Sequence, residues 1–339
     1  HPGSASAQSH VADLRRRPAG QIDSQQLVSR EKGDRLAIRR PEGHPRQGGA
    51  IQRSKLRRIE IPNPELILSV ELRGVTSAAR YTREDIDFSA TLAGHTVEFL
   101  RRYDSLTGDR SGAFGSGWRL ALRDVDLTTD LPAGGSEQFG AWPPLVAGTR
   151  VFLTTPTGER VGFTFSPERM REYGITWYRP VWVADAGANW QLESVFQKLQ
   201  RSGDRYYAID GQVPYNPAGA SPDRVQYTLV AADGTRYEID AARGVTAIAY
   251  TDGVRLTVSD SGVAASNGDA VNFVLGAGGR IVAATDTGGR VFNYEYDSMG
   301  RLIGARDLTA ASSQRYAYDA AGRLSAATGG PASVALEYG

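Results

Sequence analysis

The chain has no cysteine among its 339 residues, only 2 methionines, and 3 lysines against 36 arginines. Without a thiol there is no disulfide frame, no Cys-ligated zinc, no iron–sulfur cluster and no thiol nucleophile. Histidine is nearly as scarce. Three of the four, His1, His10 and His44, fall early, which leaves His95 alone in the rest of the chain. Imidazole-based acid–base or triad chemistry therefore has one candidate. His95 stands in the strand-like run Gly94-His95-Thr96-Val97-Glu98-Phe99, where a surface or half-buried structural histidine is the plainer reading. No apolar run approaches the roughly 20 residues of a transmembrane helix. The first ten residues hold no hydrophobic stretch of the secretory type, so the expectation is no membrane span and no conventional leader.

What the chain has in excess is glycine, 39 residues, well above the usual share of about 7%. Such an excess points to many tight turns rather than long helices. The net charge of +1 averages two unlike segments. Residues 1–60 carry 13 basic against 6 acidic side chains, and residues 61–339 carry 26 against 32. The basic segment is rich in Arg, Gln, Gly, Ser and Pro and poor in aromatics, with one periodic patch at Gln21–Ile38 that suits a marginal helix. It is expected to be a mostly disordered arm, or one that folds against a partner, because it cannot bury enough surface to offset its ordering entropy. Arginines without interleaved aromatics make nucleic acid an unfavoured partner.

From Ile61 the texture changes. Leu66-Ile67-Leu68-Ser69-Val70 reads as a first strand or lead-in, and short alternating runs follow. Trp118, Leu120 and Leu122 alternate with Arg119, Ala121 and Arg123. Val161, Phe163 and Phe165 repeat the pattern, as do Val254, Leu256 and Val258, and Phe292, Tyr294 and Tyr296. Turn signals divide them: Thr157-Gly158, Asp233-Gly234, Asp252-Gly253, Asn267-Gly268 and Gly288-Gly289, with Asx-Gly pairs read as two-residue hairpin turns. The expected fold is all-β, built of antiparallel hairpins. Gln191–Leu199 fits helical spacing about as well as a strand pair.

The last third repeats. Tyr296-Asp297-Ser298-Met299-Gly300-Arg301-Leu302 recurs 22 residues on as Tyr318-Asp319-Ala320-Ala321-Gly322-Arg323-Leu324. Gly279-Arg280-Ile281 and Gly289-Arg290-Val291 are weaker relatives of the second half. Each unit reads as a strand, an Asp-initiated turn, Gly at the strained position and a returning strand opened by Arg-Leu, with Tyr as a large stiff contact. A fixed period means units that bury their faces against neighbours.

This Tyr-Asp-x-x-Gly-Arg-Leu spacing resembles the YD repeat of Rhs proteins, a class that includes bacterial polymorphic toxins, insecticidal toxin-complex subunits and teneurins. Arg102-Tyr103-Asp104-Ser105-Leu106, followed by Phe114-Gly115-Ser116-Gly117-Trp118, looks like the segment that opens an Rhs core, and Thr155-Pro156-Thr157-Gly158-Glu159-Arg160 is similar to a hairpin found soon after it. The resemblance implies a sheet that spirals into part of a hollow shell around a toxin domain, with residues 61–275 starting the shell and 276–339 carrying YD hairpins. It implies a structural role without catalysis or cofactor. Its partners would be the rest of the shell, in the same or a second chain, and the enclosed toxin, with a secretion component or immunity protein beside them. Location would be the bacterial cytoplasm before export through a specialised machine. Ala335-Leu336-Glu337-Tyr338-Gly339 looks like the start of a third repeat, as expected of a fragment or of one piece of a shell. The structural residues implied are Tyr296, Asp297, Gly300, Arg301, Leu302, Tyr318, Asp319, Gly322, Arg323 and Leu324, with Tyr103, Asp104, Gly115, Gly117 and Trp118 at the opening.

Other features of the sequence suit plain structural roles. The acidic groups Glu84, Asp85, Asp87 and Asp124, Asp126, Asp130 lack the spacing and central Gly of an EF-hand loop, and are expected to be solvated turn residues, with no metal site. Gly276–Arg280 lies between strand-like runs with no following helix, so a hairpin turn suits it better than a phosphate loop. Trp177, Trp182 and Trp190 form the alternative: a glycan-stacking platform on a cell-surface adhesion module, against the favoured reading that they fill a β-shell.

Overall fold

A computed structural model of the protein describes residues 57–60, 67–70 and 80–336, apart from 109, 133, 136, 138–141, 220–224 and 330–332. The described residues form strands, turns and short 3-10 segments, with no α-helix among them. The sheets are antiparallel, and they are open. The chain divides into two units, one of residues 1–80 with 338–339 and one of Tyr81–Glu337.

In the first unit, Arg57–Glu60 pairs with Ile67–Val70 in register Arg57↔Val70 to Glu60↔Ile67. The expected lead-in strand is thus present, and its partner comes from the end of the segment read as an arm. The rest of residues 1–56, the Gln21–Ile38 patch included, lies outside the described residues.

The second unit opens with a long hairpin, Thr82–Leu92 against His95–Asp104, joined by Trp118–Leu120 as a third strand. Its two-residue turn, Ala93-Gly94, has both φ angles positive (48° and 88°), which suits the right-handed strand twist. The pairing slips between Ile86 and Phe88, leaving Asp87 as an extra residue. Such a bulge reverses which parity faces inward. Before it Arg83, Asp85 and Asp87 point in; after it Phe88, Ala90 and Leu92 do, while Ile86 is left 53% exposed. The strand starting at Trp118 stops at Leu120, whose carbonyl takes the N–H groups of Arg123 and Asp124. The chain turns there, and Ala121 is buried beside Leu122 rather than facing out.

Two four-stranded sheets follow. One contains Thr128–Thr129, Arg150–Thr154, Arg160–Phe165 and Trp182–Ala184, with Val161, Phe163 and Phe165 buried as their alternation requires. The other contains Glu168–Glu172, Ile175–Arg179, Leu199–Ser202 and Arg205–Ala208. Gln191–Leu199 is no helix: Gln191–Ser194 is one strand and Leu199 begins another.

The remainder is a single 13-stranded sheet that starts at Gln191–Ser194, continues at Tyr227–Val230 and adds each later strand beside its predecessor through Val334–Ala335. It runs without a break past residue 275, where the sequence divides core from repeats. Alternation along each strand sends one set inward, such as Leu256, Val258, Phe292, Tyr294, Leu302, Tyr316 and Leu324, all less than a tenth exposed. The opposite face carries ion pairs that reach over an intervening strand, such as Glu193–Arg236, Glu238–Arg255 and Glu295–Arg315. The opening hairpin packs on the inward face, with Phe99 edge-on to Phe273 at 6.0 Å and Phe88 stacked on Phe292 at 6.1 Å.

Eight of the hairpins among the described residues share one turn, starting at Thr155, Ala231, Tyr250, Ala265, Gly276, Asp286, Asp297 and Asp319. In each, the first residue's N–H donates to the fifth residue's carbonyl and the fourth residue's N–H to the first residue's carbonyl. The fourth residue is always glycine with positive φ, from 72° to 97°. The Asx-Gly pairs are therefore not two-residue turns. Asp233, Asp252 and Asn267 keep negative φ and accept the N–H two residues on, at 2.8, 3.0 and 3.1 Å. That Asx bond anchors a three-residue loop with one left-handed glycine. Gly276–Arg280 is one of the eight, a hairpin turn as its surroundings indicate.

Candidate functional site

The repeat motif builds a linked ladder. Asp297 Oδ1 accepts the Met299 and Arg301 main-chain N–H groups at 3.0 and 2.9 Å, and Oδ2 accepts Arg301 Nε at 2.7 Å. Asp319 treats Arg323 the same way, at 2.8 Å for both bonds. Burial raises both carboxyls, but the Arg301 and Arg323 main-chain and guanidinium bonds outweigh it and hold them below the usual carboxylate range. With its guanidinium so held, Arg301 lies over the Tyr318 ring at 5.0 Å, and Arg280 takes the same place over Tyr296 at 5.3 Å. The Tyr hydroxyls then donate back one unit: Tyr296 to the Ile281 carbonyl and Tyr318 to the Leu302 carbonyl, both at 2.6 Å. Gly279-Arg280-Ile281 is thus a working half-repeat, since its Arg and its apolar residue both serve the next tyrosine.

The opening motif docks on this ladder from about 200 residues away in sequence. Trp118 Nε1 donates to the Tyr318 hydroxyl at 2.9 Å, and the Leu324 N–H donates to the Tyr103 hydroxyl at 2.8 Å. The Tyr103 and Trp118 rings sit 5.3 Å apart. Asp104 accepts the Leu106 N–H at 3.0 Å, which starts the turn that returns the chain to Gly115. Two glycines set the spacing. A Cβ on Gly117, at φ 74°, would stand 2.8 Å from the Tyr103 ring, and one on Gly115, at φ 91°, would stand 2.4 Å from the Gly300 carbonyl oxygen. Sequence motifs read separately as opening and repeat are one packed assembly.

At its centre is a charged cluster that sequence reasoning missed. Arg101 is fully buried and grips Asp87 through Nε and Nη2 at 2.7–2.9 Å. It also donates to the Tyr316 hydroxyl at 2.9 Å and to Gln314 Oε1 at 2.6 Å, and lies within 5.2–6.0 Å of the Phe114, Trp118, Tyr294 and Tyr316 rings. Tyr294 donates to Asp87 at 2.6 Å, Tyr316 to Asp85 at 2.9 Å, and Arg83 Nε and Nη2 to Asp85 at 2.8 Å. Burial pushes the Asp87 carboxyl up against the pull of Arg101, and pushes the Tyr294 hydroxyl far up. Asp85 and Asp87 are therefore not solvated turn residues: the bulge aims them into the interior. Asp124 and Asp126 are half-buried rather than solvated, and Asp124 accepts the Leu120 N–H at 2.9 Å. The signal available in sequence was period two in Arg83, Asp85 and Asp87, and again in Val97, Phe99, Arg101 and Tyr103.

His95 Nε2 meets Asp252 at 2.9 Å while its ring stacks on Tyr250 at 3.6 Å, pinning the hairpin tip to the long sheet. The three tryptophans present no common exposed face. Trp177, Trp182 and Trp190 are 8%, 8% and 9% exposed and sit among different neighbours. Trp182 donates to Ser194 and packs on Phe165 and Tyr227; Trp190 donates to Glu159 beside Tyr237; Trp177 lies under Lys198 and Phe196.

Residues 277–312 match the family model described as RHS Repeat. The match takes in the Arg280 half-repeat and the whole Tyr296–Leu302 motif. A comparison with curated proteins finds no match. Among solved structures the chain is similar to the Tc holotoxin pore of Photorhabdus luminescens, at 14% identity and a TM-score of 0.23. That match covers 72% of this chain but spans 14% of the other. The repeat signature, the match over residues 277–312 and the ladder built there identify that part of the chain as an RHS repeat.

Proposed function

We propose that this chain is the opening part of an Rhs-type shell, a non-catalytic wall that encloses a toxic effector until delivery into a target cell or competitor. The observation that carries the reading is the long sheet, in which thirteen strands follow one another in sequence order with one apolar face throughout. Such a sheet lengthens by adding hairpins at its edge, and the Arg–Tyr ladder supplies the means of fastening each new one. Its apolar face is covered here by the chain's own opening hairpin. This part is therefore a filled end of the wall, and room for cargo belongs to the sheet's continuation. The function is steric: a wall without open edges separates the effector from the cell that makes it.

The partners on this reading are the remainder of the shell, an enclosed toxin domain, and an export component or immunity protein acting on the assembly. Synthesis takes place in the bacterial cytoplasm, followed by secretion or injection. Electron microscopy of the full-length protein tests the proposal. The expected particle is hollow, with density for cargo inside and the Tyr81–Glu337 unit closing one end. A solid particle with no lumen would overturn it.

A further inference from the structure

We propose that the arginine-lined cleft between the opening segment and the long sheet binds a small multivalent oxyanion, of the phosphate or polycarboxylate class. The cleft has a volume of about 440 Å³, within the range of about 300–1,000 Å³ usual for small-molecule sites. One wall comes from residues 110–127 and the other from the turn at residues 241–244 and the glycines 278–279. The two walls are fixed to each other by main-chain bonds, Val245 N–H to the Arg123 carbonyl at 2.8 Å and Ile281 N–H to the Ala113 carbonyl at 2.9 Å. The site is therefore held open by the fold rather than by side chains.

Its lining carries four guanidiniums, Arg110, Arg119, Arg123 and Arg243, against the two carboxyls of Asp124 and Asp126. Asp126 alone faces three guanidiniums, Arg110 at 2.7 Å, Arg119 at 3.3 Å and Arg160 at 3.7 Å, so its single charge leaves a surplus. Its main chain holds a left-handed φ of 45°, unusual for a non-glycine residue and a form of strain often found at binding sites. Asp124 also lines the cleft; it accepts the Leu120 N–H at 2.9 Å, and burial raises its carboxyl against the pull of Arg123 and Arg119. On the far side Arg123 pairs with Asp260 at 2.7 Å, but Asp260 is 69% exposed, and so weak a surface pair yields readily to a better-placed anion. Arg243 pairs with Asp240 at 3.2 Å, whose Oδ1 is occupied by the Ala242 and Arg243 N–H groups at 2.9 Å. Guanidinium forks match the planar edges of phosphate and carboxylate groups, and a multivalent ligand can engage both walls at once.

Titration calorimetry of the whole chain with pyrophosphate, and separately with citrate, tests this. Binding is expected for at least one, weakening about tenfold or more when Arg119→Gln and Arg123→Gln are combined, and unchanged in Arg236→Gln on the sheet's outer face. A stronger response to pyrophosphate assigns phosphate chemistry, and a stronger response to citrate assigns carboxylate chemistry. Hydrogen exchange on the unaltered protein serves if the double variant fails to fold: added ligand is expected to protect residues 110–127 and 241–244. No heat with either anion, or protection confined to other regions, would overturn the proposal. The result is independent of whether the chain encloses a cargo.

Discussion

Gly115 of the opening motif lies against the main chain of Gly300 in the first complete repeat, so closely that a Cβ would stand 2.4 Å from the Gly300 carbonyl oxygen. Two segments far apart in sequence are pressed together without room for a methyl group. Position and conformation both demand glycine, since φ there is 91°.

Gly115→Ala is therefore expected to lose about 2–4 kcal/mol, combining left-handed strain with a backbone collision. Gly322→Ala has the same kind of φ, 79°, but nothing within 4 Å of the added carbon. It should lose only about 1–2 kcal/mol, from strain alone. Urea unfolding of both variants checks the contrast, and equal losses would show that the Gly115–Gly300 contact carries no weight.

Arg101→Met strips a buried carboxylate of its partner, and is expected to destabilise by about 3–5 kcal/mol. Asp87→Leu should do comparable harm from the other side. Combining them leaves no unmatched buried charge, so most of the loss should be regained. A double-mutant cycle in urea measures this; strictly additive losses would mean that the two residues do not act as a pair.

Tyr318 and Tyr296 occupy equivalent repeat positions with unequal bonding. The Tyr296 hydroxyl serves only the Ile281 carbonyl among the bonds described, whereas that of Tyr318 serves the Leu302 carbonyl and Trp118 Nε1. Each buried group left without a partner costs about 1–3 kcal/mol. Tyr318→Phe is thus expected to cost clearly more than Tyr296→Phe, and to quench or shift Trp118 fluorescence, which Tyr296→Phe should leave closer to the parent.

The pH profile should show an acid limb from the repeat turns. Asp297 and Asp319 hold folded values below their unfolded ones. Their contribution is complete above the unfolded carboxylate value of about 3.9, and fades as the pH falls through the folded value. Thermal midpoints measured from pH 6 down to pH 2 should fall more gently in Asp297→Asn with Asp319→Asn than in the parent. Parallel curves would assign the acid limb to other groups.

Much of the architecture follows from local rules that sequence displays. Period-two runs such as Val161-Phe163-Phe165 and Phe292-Tyr294-Tyr296 set strand faces, because side chains alternate whatever the partner. The turn at Asp297 was equally legible, since the carboxylate, the glycine at the fourth position and the arginine at the fifth all act within five residues. Sequence does not distinguish three-residue from two-residue loops here, because Asp-Gly serves both. Two turns that are of the two-residue kind, Ala93-Gly94 and Tyr173-Gly174, put a positive φ on an alanine and a tyrosine, which do not advertise it.

What sequence alone determined was the all-β class, the repeat and the glycine positions. Each of these rests on alternation and turn chemistry that act within one hairpin or between it and the next. The tertiary structure decided the rest. One extra residue at Asp87 changed which face of a strand turns inward, and so converted three charged residues from surface to core. Trp118 found Tyr318, Leu324 found Tyr103, and Arg101 found the Tyr294 and Tyr316 rings, from strands some 200 residues away. No local pattern encodes those partners, because they are set by how far each bulge and turn carries the sheet before it meets the opening hairpin.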